Sequence, residues 1–225
     1  MFTIKICGIT RPPDAVAAAD SGADAIGLNF YAKSPRCVSI ETAQAIAEAV
    51  AGGPLVVGVF VNASAAEIAE TVAAVPLGAI QLHGDEPPEI VAALPAGVPV
   101  IRAARIGEAG LAEAAAYRDA CQVAGHPLAA VLLDASVKAM PGEEVVYGGS
   151  GCRLDWPRVA AQRGLLAGVP LILAGGLTPV NVAEAIAVSR SDGVDTASGV
   201  ESAPGVKDHQ MIRAFIAAAR QTLAD

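Results

Sequence analysis

Two side chains in this sequence could exchange protons with one bound molecule. Cys7 ends the run Phe2-Thr3-Ile4-Lys5-Ile6 and is followed at once by Gly8. Asp134 ends a second apolar run, Val131-Leu132-Leu133. A cysteine works as a base only as its thiolate, which needs an electropositive or hydrogen-bonding neighbour. Without one, a free cysteine is a small buried hydrophobe. A carboxyl group at the end of an apolar run is partly desolvated, which suits it to keep a proton and act as a general acid. The plain alternative for Asp134 is a loop cap or a salt bridge to Lys138. A different chemistry is offered by Gly175-Gly176 and Ser198-Gly199. Backbone N–H groups at such turns can converge on an anion, and glycine lets the anion come close. Arg36 has the planar fork that suits a carboxylate, although a lone arginine is more often solvated. His83 is a candidate donor beside the site or an ordinary loop histidine; His126 and His209 receive no role.

These residues share a position in the pattern. Cys7, His83, Asp134 and both glycine turns directly follow short apolar runs, Arg36 sits in the loop after the second run, and the runs alternate with alanine-rich helical stretches along the chain. The expected strands are Thr3–Cys7, Ala25–Asn29, Leu55–Phe60, Ala79–Leu82, Val98–Arg102, Ala130–Asp134, Leu171–Ala174 and Gly193–Ala197. Helices are expected from about Pro12, Ser39, Ser64, Glu86, Glu108, Trp156, Thr178 and Asp208. Ser64 and Glu67 have capping-box spacing, and Thr178-Pro179 reads as a cap followed by a proline in the first turn. Strands separated by helices argue for a parallel sheet. Eight such units in 225 residues argue for one closed α/β domain over residues 1–225, a (β/α)8 or TIM barrel. In such a barrel Cys7, Asn29, Asn62, His83, Arg102, Asp134 and both glycine turns would face one mouth, the end that carries the chemistry. The run Gly148-Gly149-Ser150-Gly151 would belong to a loop at that mouth. Lys5 shares a strand face with Cys7. If that face is inward, a buried lysine needs a partner, and Asp195 on the last strand is the nearest candidate.

Bulk properties exclude several functions. A net charge of -8 and a pI near 4.9 leave no basic surface for nucleic acid. The apolar runs are too short and too interrupted to span a membrane. The four cysteines, Cys7, Cys37, Cys121 and Cys152, show neither disulfide nor zinc spacing, so no metal is expected and the thiols read as reduced. With no signal-like start, the expected location is cytoplasmic. Monomer and homodimer both fit.

Several segments together carry a resemblance. They are Lys5-Ile6-Cys7-Gly8-Ile9-Thr10, Phe30-Tyr31-Ala32-Lys33-Ser34-Pro35-Arg36, Gln81-Leu82-His83-Gly84, Leu133-Asp134, Gly148-Gly149-Ser150-Gly151 with Asp155-Trp156, Ala174-Gly175-Gly176-Leu177, and Ser198-Gly199-Val200-Glu201. In this order, from first strand to last, the set resembles the phosphoribosylanthranilate isomerase family of tryptophan biosynthesis. Ala32 departs from the proline usual there. The resemblance implies an Amadori rearrangement of a phosphosugar, with Cys7 as general base, Asp134 as general acid and Arg36 meeting the anthranilate carboxylate. The 5-phosphate would rest on Gly175, Gly176, Ser198 and Gly199, with His83 nearby, and no cofactor would be needed. The enzyme rival is the related ProFAR isomerase of histidine biosynthesis, for which an aspartate would be expected in place of Cys7. The rival of another class is a barrel that binds a phosphosugar or a protein without catalysis, and would not need both Cys7 and Asp134.

Overall fold

In the computed structural model the described residues are 2–106, 110–135 and 154–224. Lys138, Gly148–Gly151 and Cys152 lie outside them. Eight parallel strands close into a barrel in chain order: β1 (Ile4–Cys7), β2 (Ala25–Asn29), β3 (Leu55–Phe60), β4 (Ala79–Leu82), β5 (Val100–Arg105), β6 (Ala130–Asp134), β7 (Leu171–Leu173) and β8 (Gly193–Thr196). The seam is β1 against β8, with Lys5 opposite Asp195. The helices are α1 (Pro12–Asp20), α2 (Ile40–Ala49), α3 (Ala65–Ala74), α4 (Ala112–Val123), α5 (Trp156–Gln162), α6 (Val182–Ser189) and α7 (His209–Ala224).

Local chemistry sets several of these boundaries. Ser64 and Glu67 form the reciprocal capping box at the start of α3, and the Ser39 side chain accepts from Thr42 N–H at the start of α2. Pro12 and Pro13 occupy the first turn of α1, where a missing N–H costs nothing.

Alternation along each strand divides the core in two. Outward residues such as Ile4, Ile6, Ile26, Leu28, Leu82 and Leu133 pack against Ile46, Ile68, Ile212 and Phe215 of the helices. Inward residues, including Val57, Ile101, Leu132 and Ile172, fill the barrel together with Ala25, Ala79 and Ala130. The small residues leave room for the long inward side chain of Lys5, which is fully buried.

The structure corrects the sequence reading at several places. Between β4 and β5 there is a short 3-10 helix, Pro88–Ala93, rather than an α-helix; Pro95, just past its end, disfavours helical backbone at Leu94 and keeps the segment short. Strand β5 continues to Arg105. Arg102 therefore lies on its outer face between inward Ile101 and Ala103, and does not face the mouth. It donates to Glu86 Oε2 at 2.7 Å and to the Gly84 carbonyl at 2.9 Å, and its guanidinium stacks over Tyr117. Asn62, also expected at the mouth, adopts a positive φ and accepts from Asp85 N–H through its side chain. Thr178 does not cap α6. That helix starts at Val182, and Asn181 braces the turn before it by accepting from Thr178 N–H at 2.7 Å and donating to the Gly176 carbonyl at 3.0 Å. After β8 come a 3-10 turn, Ser198–Val200, and a two-stranded hairpin, β9 (Glu201–Ala203) with β10 (Val206–Lys207).

Candidate active site

At the carboxyl ends of the strands lies a cavity of about 690 Å³, counting space open to solvent. Its wall contains Cys7, Arg36, His83, Asp134, Gly175, Gly176, Ser198 and Gly199. The structure thus brings together every residue that the sequence singled out as catalytic or substrate-binding.

Cys7 is the last residue of β1 and opens partly onto the cavity. Lys5 lies below it on the same inward face, with Nζ 2.9 Å from Asp195 Oδ1; the expected pair is formed. Burial works against the Lys5 charge, but Asp195 and Cys7 together outweigh it and hold the lysine pKa above its ordinary value. Burial also pushes the Cys7 thiol up, and Lys5 opposes that rise.

Asp134 ends β6 and is 7% exposed. Its Oδ1 accepts from Ala135 N–H at 2.9 Å, and its Oδ2 lies 3.1 Å from His83 Nε2. His83 Nδ1 in turn meets Gln81 Nε2 at 2.8 Å. With the Gln81 amide donating, Nδ1 accepts and Nε2–H points at Asp134. Gln81 is two residues before His83, fully buried on the inward face of β4; its place in this chain of contacts has no sequence signal beyond strand spacing.

Arg36 is steered by the loop after β2. The Ser34 hydroxyl accepts from Arg36 N–H at 3.1 Å and from Asn29 Nδ2 at 3.3 Å, and Asn29 Oδ1 accepts from Tyr31 N–H. The guanidinium is gripped by Glu201 through Nε and Nη2, at 2.8 and 2.7 Å. Lys207, fully buried, donates to the same carboxylate at 2.7 Å and to the Ala197 carbonyl at 2.9 Å. Sequence reasoning gave Glu201 and Lys207 no role. The signal for the hairpin that carries them was Pro204-Gly205, a turn dipeptide.

The two glycine turns differ in build. Gly175 and Gly176 both take positive φ, the region open to glycine at little cost. Both line the cavity, and neither N–H has a backbone acceptor among the described residues. Gly199 packs so close to the Leu177 carbonyl that a β-carbon could not fit. An anion at this end of the cavity would therefore meet backbone N–H groups with no side chain in the way.

A closed eight-stranded α/β barrel with a thiol, an imidazole–carboxyl pair and a forked arginine at one mouth is a barrel enzyme by build. The model of the family described as N-(5'phosphoribosyl)anthranilate (PRA) isomerase matches residues 4–218. The chain belongs to that family, isomerases of tryptophan biosynthesis. It is similar to the N-(5'-phosphoribosyl)anthranilate isomerase of Myxococcus xanthus, 50% identical over 96% of this chain and 95% of that one. The enzyme of the same name from Pseudomonas fluorescens strain Pf0-1 is 47% identical over 96% and 97%. Among solved structures, phosphoribosyl anthranilate isomerase from Thermotoga maritima superposes with a TM-score of 0.84 at 39% identity, covering 98% of this chain and all of that one. A phosphoribosyl anthranilate isomerase in complex with reduced 1-(o-carboxyphenylamino)-1-deoxyribulose 5-phosphate matches at 0.81 and 36%, over 98% and 100%.

Proposed function

We propose that this protein converts N-(5'-phosphoribosyl)anthranilate to 1-(2-carboxyphenylamino)-1-deoxyribulose 5-phosphate by an acid–base Amadori rearrangement. The observation that carries the reading is that Cys7, Asp134, Arg36 and both glycine turns line one cavity. The substrate has an anionic group at each end, and the cavity has a feature suited to each. The phosphate would rest on the N–H groups of Gly175 and Gly176 and on the Ser198-Gly199 turn. The anthranilate carboxylate would meet Arg36. Glu201 occupies Nε and Nη2, which leaves the Nη1 edge for the ligand.

Held at both ends, the ribose lies between the two proton-transfer groups. Asp134 gives a proton to the ring oxygen, the C1–O bond breaks, and C1 becomes a protonated imine. The imine withdraws electrons from C2, so its hydrogen becomes acidic. Cys7 takes that proton as a thiolate, and the C2–H electrons form a C1–C2 double bond. The resulting enolamine then gains a proton at C1 and loses one from the C2 hydroxyl, giving the ketone. The imine is the electron sink, so the steps use no metal and no organic cofactor. His83, bonded to Asp134, orients the acid.

Every group invoked is on one chain, so a monomer or a homodimer would serve equally, with residues 1–225 read as one domain. Among the described residues no helix is long and apolar enough to cross a membrane. A cytoplasmic site of action suits the reduced thiol that Cys7 must keep. The test is a fluorescence assay with the purified protein and N-(5'-phosphoribosyl)anthranilate. Loss of substrate fluorescence at an enzymatic rate is expected; no turnover of this substrate would refute the proposal.

A further inference from the structure

Lys5 is the largest fully buried side chain described, and the steps above do not use it. Its surroundings are specific. Nζ is fixed by Asp195 across the β1–β8 seam. On the other side, Gly27 of β2 pairs with Cys7. A β-carbon built on Gly27 would lie 2.7 Å from Cys7 Sγ and 3.1 Å from Lys5 Nζ. The sulfur and the ammonium therefore share one small space above a glycine, in an interior where apolar side chains such as Val57, Ile101, Leu132 and Ile172 make up a hydrophobic cluster. A lysine placed only for stability would be poorly chosen, because a hydrophobic residue in a barrel core is usually at least as stabilising as a buried ion pair.

We propose that Lys5 is a positioning residue for the base. Its ammonium, locked by Asp195 and set beside Sγ across Gly27, is the counter-charge that allows Cys7 to act as a thiolate. The proposal rests on the reading of Cys7 as the base.

Other charges face the thiol. Asp195 of β8 disfavours the thiolate, and Lys207 of β10 favours it. Arg36, from the loop after β2, and Cys7 also interact, while Asp134 and His83 share the cavity. Lys207 and Arg36 are both neutralised in part by Glu201. Lys5 is the cation that reaches the sulfur from within the barrel. Burial is the largest influence on the free thiol and holds it above its usual value; Lys5 is the strongest opposing one. The imine formed on the substrate would add a second positive charge beside the sulfur when proton removal is due.

The test titrates the thiol itself. Lys5→Met alone would strand Asp195, so the main variant is Lys5→Met/Asp195→Asn, which removes both charges. The rate of Cys7 alkylation by iodoacetamide is followed against pH, with the modified peptide identified by mass. Because loss of Asp195 by itself favours the thiolate, the double variant is compared with Asp195→Asn alone, and its midpoint should be higher by about one pH unit or more, the scale on which a lost counter-charge shifts a buried group. The acid limb of kcat/KM should move with it, so that activity lost near pH 7 returns as pH rises. Gly27→Ala keeps the ion pair but forces Sγ and Nζ apart, and should raise the midpoint in the same direction. It decides the matter if the double variant does not fold. A midpoint in a folded double variant no higher than in Asp195→Asn, or an unchanged one in Gly27→Ala when only that folds, would overturn the role of Lys5. Because alkylation does not need turnover, that outcome is distinct from the failure of Cys7 as base, which would appear as full activity in Cys7→Ser.

Discussion

Arg36 and Glu201, 165 residues apart in sequence, form a two-pronged ion pair with contacts of 2.8 and 2.7 Å. Two parallel N–H···O bonds fix the plane of the guanidinium as well as its position. The loop after β2 and the hairpin after β8 thereby become one wall of the cavity. The pair would set the direction from which the carboxylate proposed to meet Arg36 approaches.

Glu201→Gln should loosen that orientation while keeping shape and one acceptor. We expect KM for N-(5'-phosphoribosyl)anthranilate to rise about tenfold, the equivalent of one charge-assisted hydrogen bond, with kcat within about threefold. Steady-state kinetics check this. An unchanged KM would mean that Arg36 does not meet the substrate in the orientation Glu201 imposes.

The same carboxylate predicts a pH dependence of stability. Burial alone would lift the Glu201 pKa, but Arg36 and Lys207 outweigh it and hold it below the usual glutamate value of 4.5. A carboxylate whose folded pKa is lowered stabilises the fold fully above its unfolded pKa and loses that contribution as pH falls through the lowered value. The stability difference between wild type and Glu201→Gln should therefore be flat from neutral pH down to about 5 and shrink below about 4.5. Urea midpoints across that range measure it, and a difference that widened toward acid would contradict the sign.

Gly175 and Gly176 should respond differently to alanine, although both have positive φ. A β-carbon on Gly175 would press on Ala135 N at 2.7 Å and on Asp134 Oδ1 at 3.2 Å, displacing the acid. Gly175→Ala should thus lower kcat by about tenfold or more, since misplacing a reacting group by a fraction of an ångström is costly. Gly176 also has positive φ, so Gly176→Ala should chiefly raise KM by straining the anion turn. Kinetics of the two variants side by side test the division; equal effects on both parameters in both variants would remove it.

Asp134→Asn keeps the size of the side chain and one acceptor, enough for either Ala135 N–H or His83 Nε2–H, but removes the transferable proton. A loss of kcat of about 10²-fold or more is expected, the range for a general acid. Inorganic phosphate is expected to inhibit the variant and the wild type alike, if the glycine turns hold the phosphate. Full activity in Asp134→Asn would end the assignment.

The barrel and its contents were legible for different reasons. Strand spacing from Lys5 to Cys7 and the meeting of first and last strands were enough to anticipate the Lys5–Asp195 pair. Apart from Arg36, the cavity residues were legible because each follows an apolar run whose end is the barrel rim. Arg102 misled because it too follows such a run, yet Ala103-Ala104-Arg105 continues the strand, and one residue of register turns a side chain from mouth to outer face. Thr178 was a plausible cap by local chemistry, but Asn181 makes the bracing contacts. The hairpin Glu201–Lys207 is too short for a periodic pattern, and the worth of Glu201 depends on a partner at the far end of the chain. Gln81 was hidden because a polar residue inside a strand declares its neighbours only after the barrel is closed.

The most direct measurement is kcat of Cys7→Ser, with binding of reduced 1-(o-carboxyphenylamino)-1-deoxyribulose 5-phosphate followed in the same preparation. A hydroxyl in place of the sulfur keeps the size of the side chain but not its acidity. Turnover should fall by about 10²-fold or more while the analogue binds within about threefold of wild type, because phosphate and carboxylate contacts are untouched. A serine variant that turns over at the native rate would contradict the account at its centre.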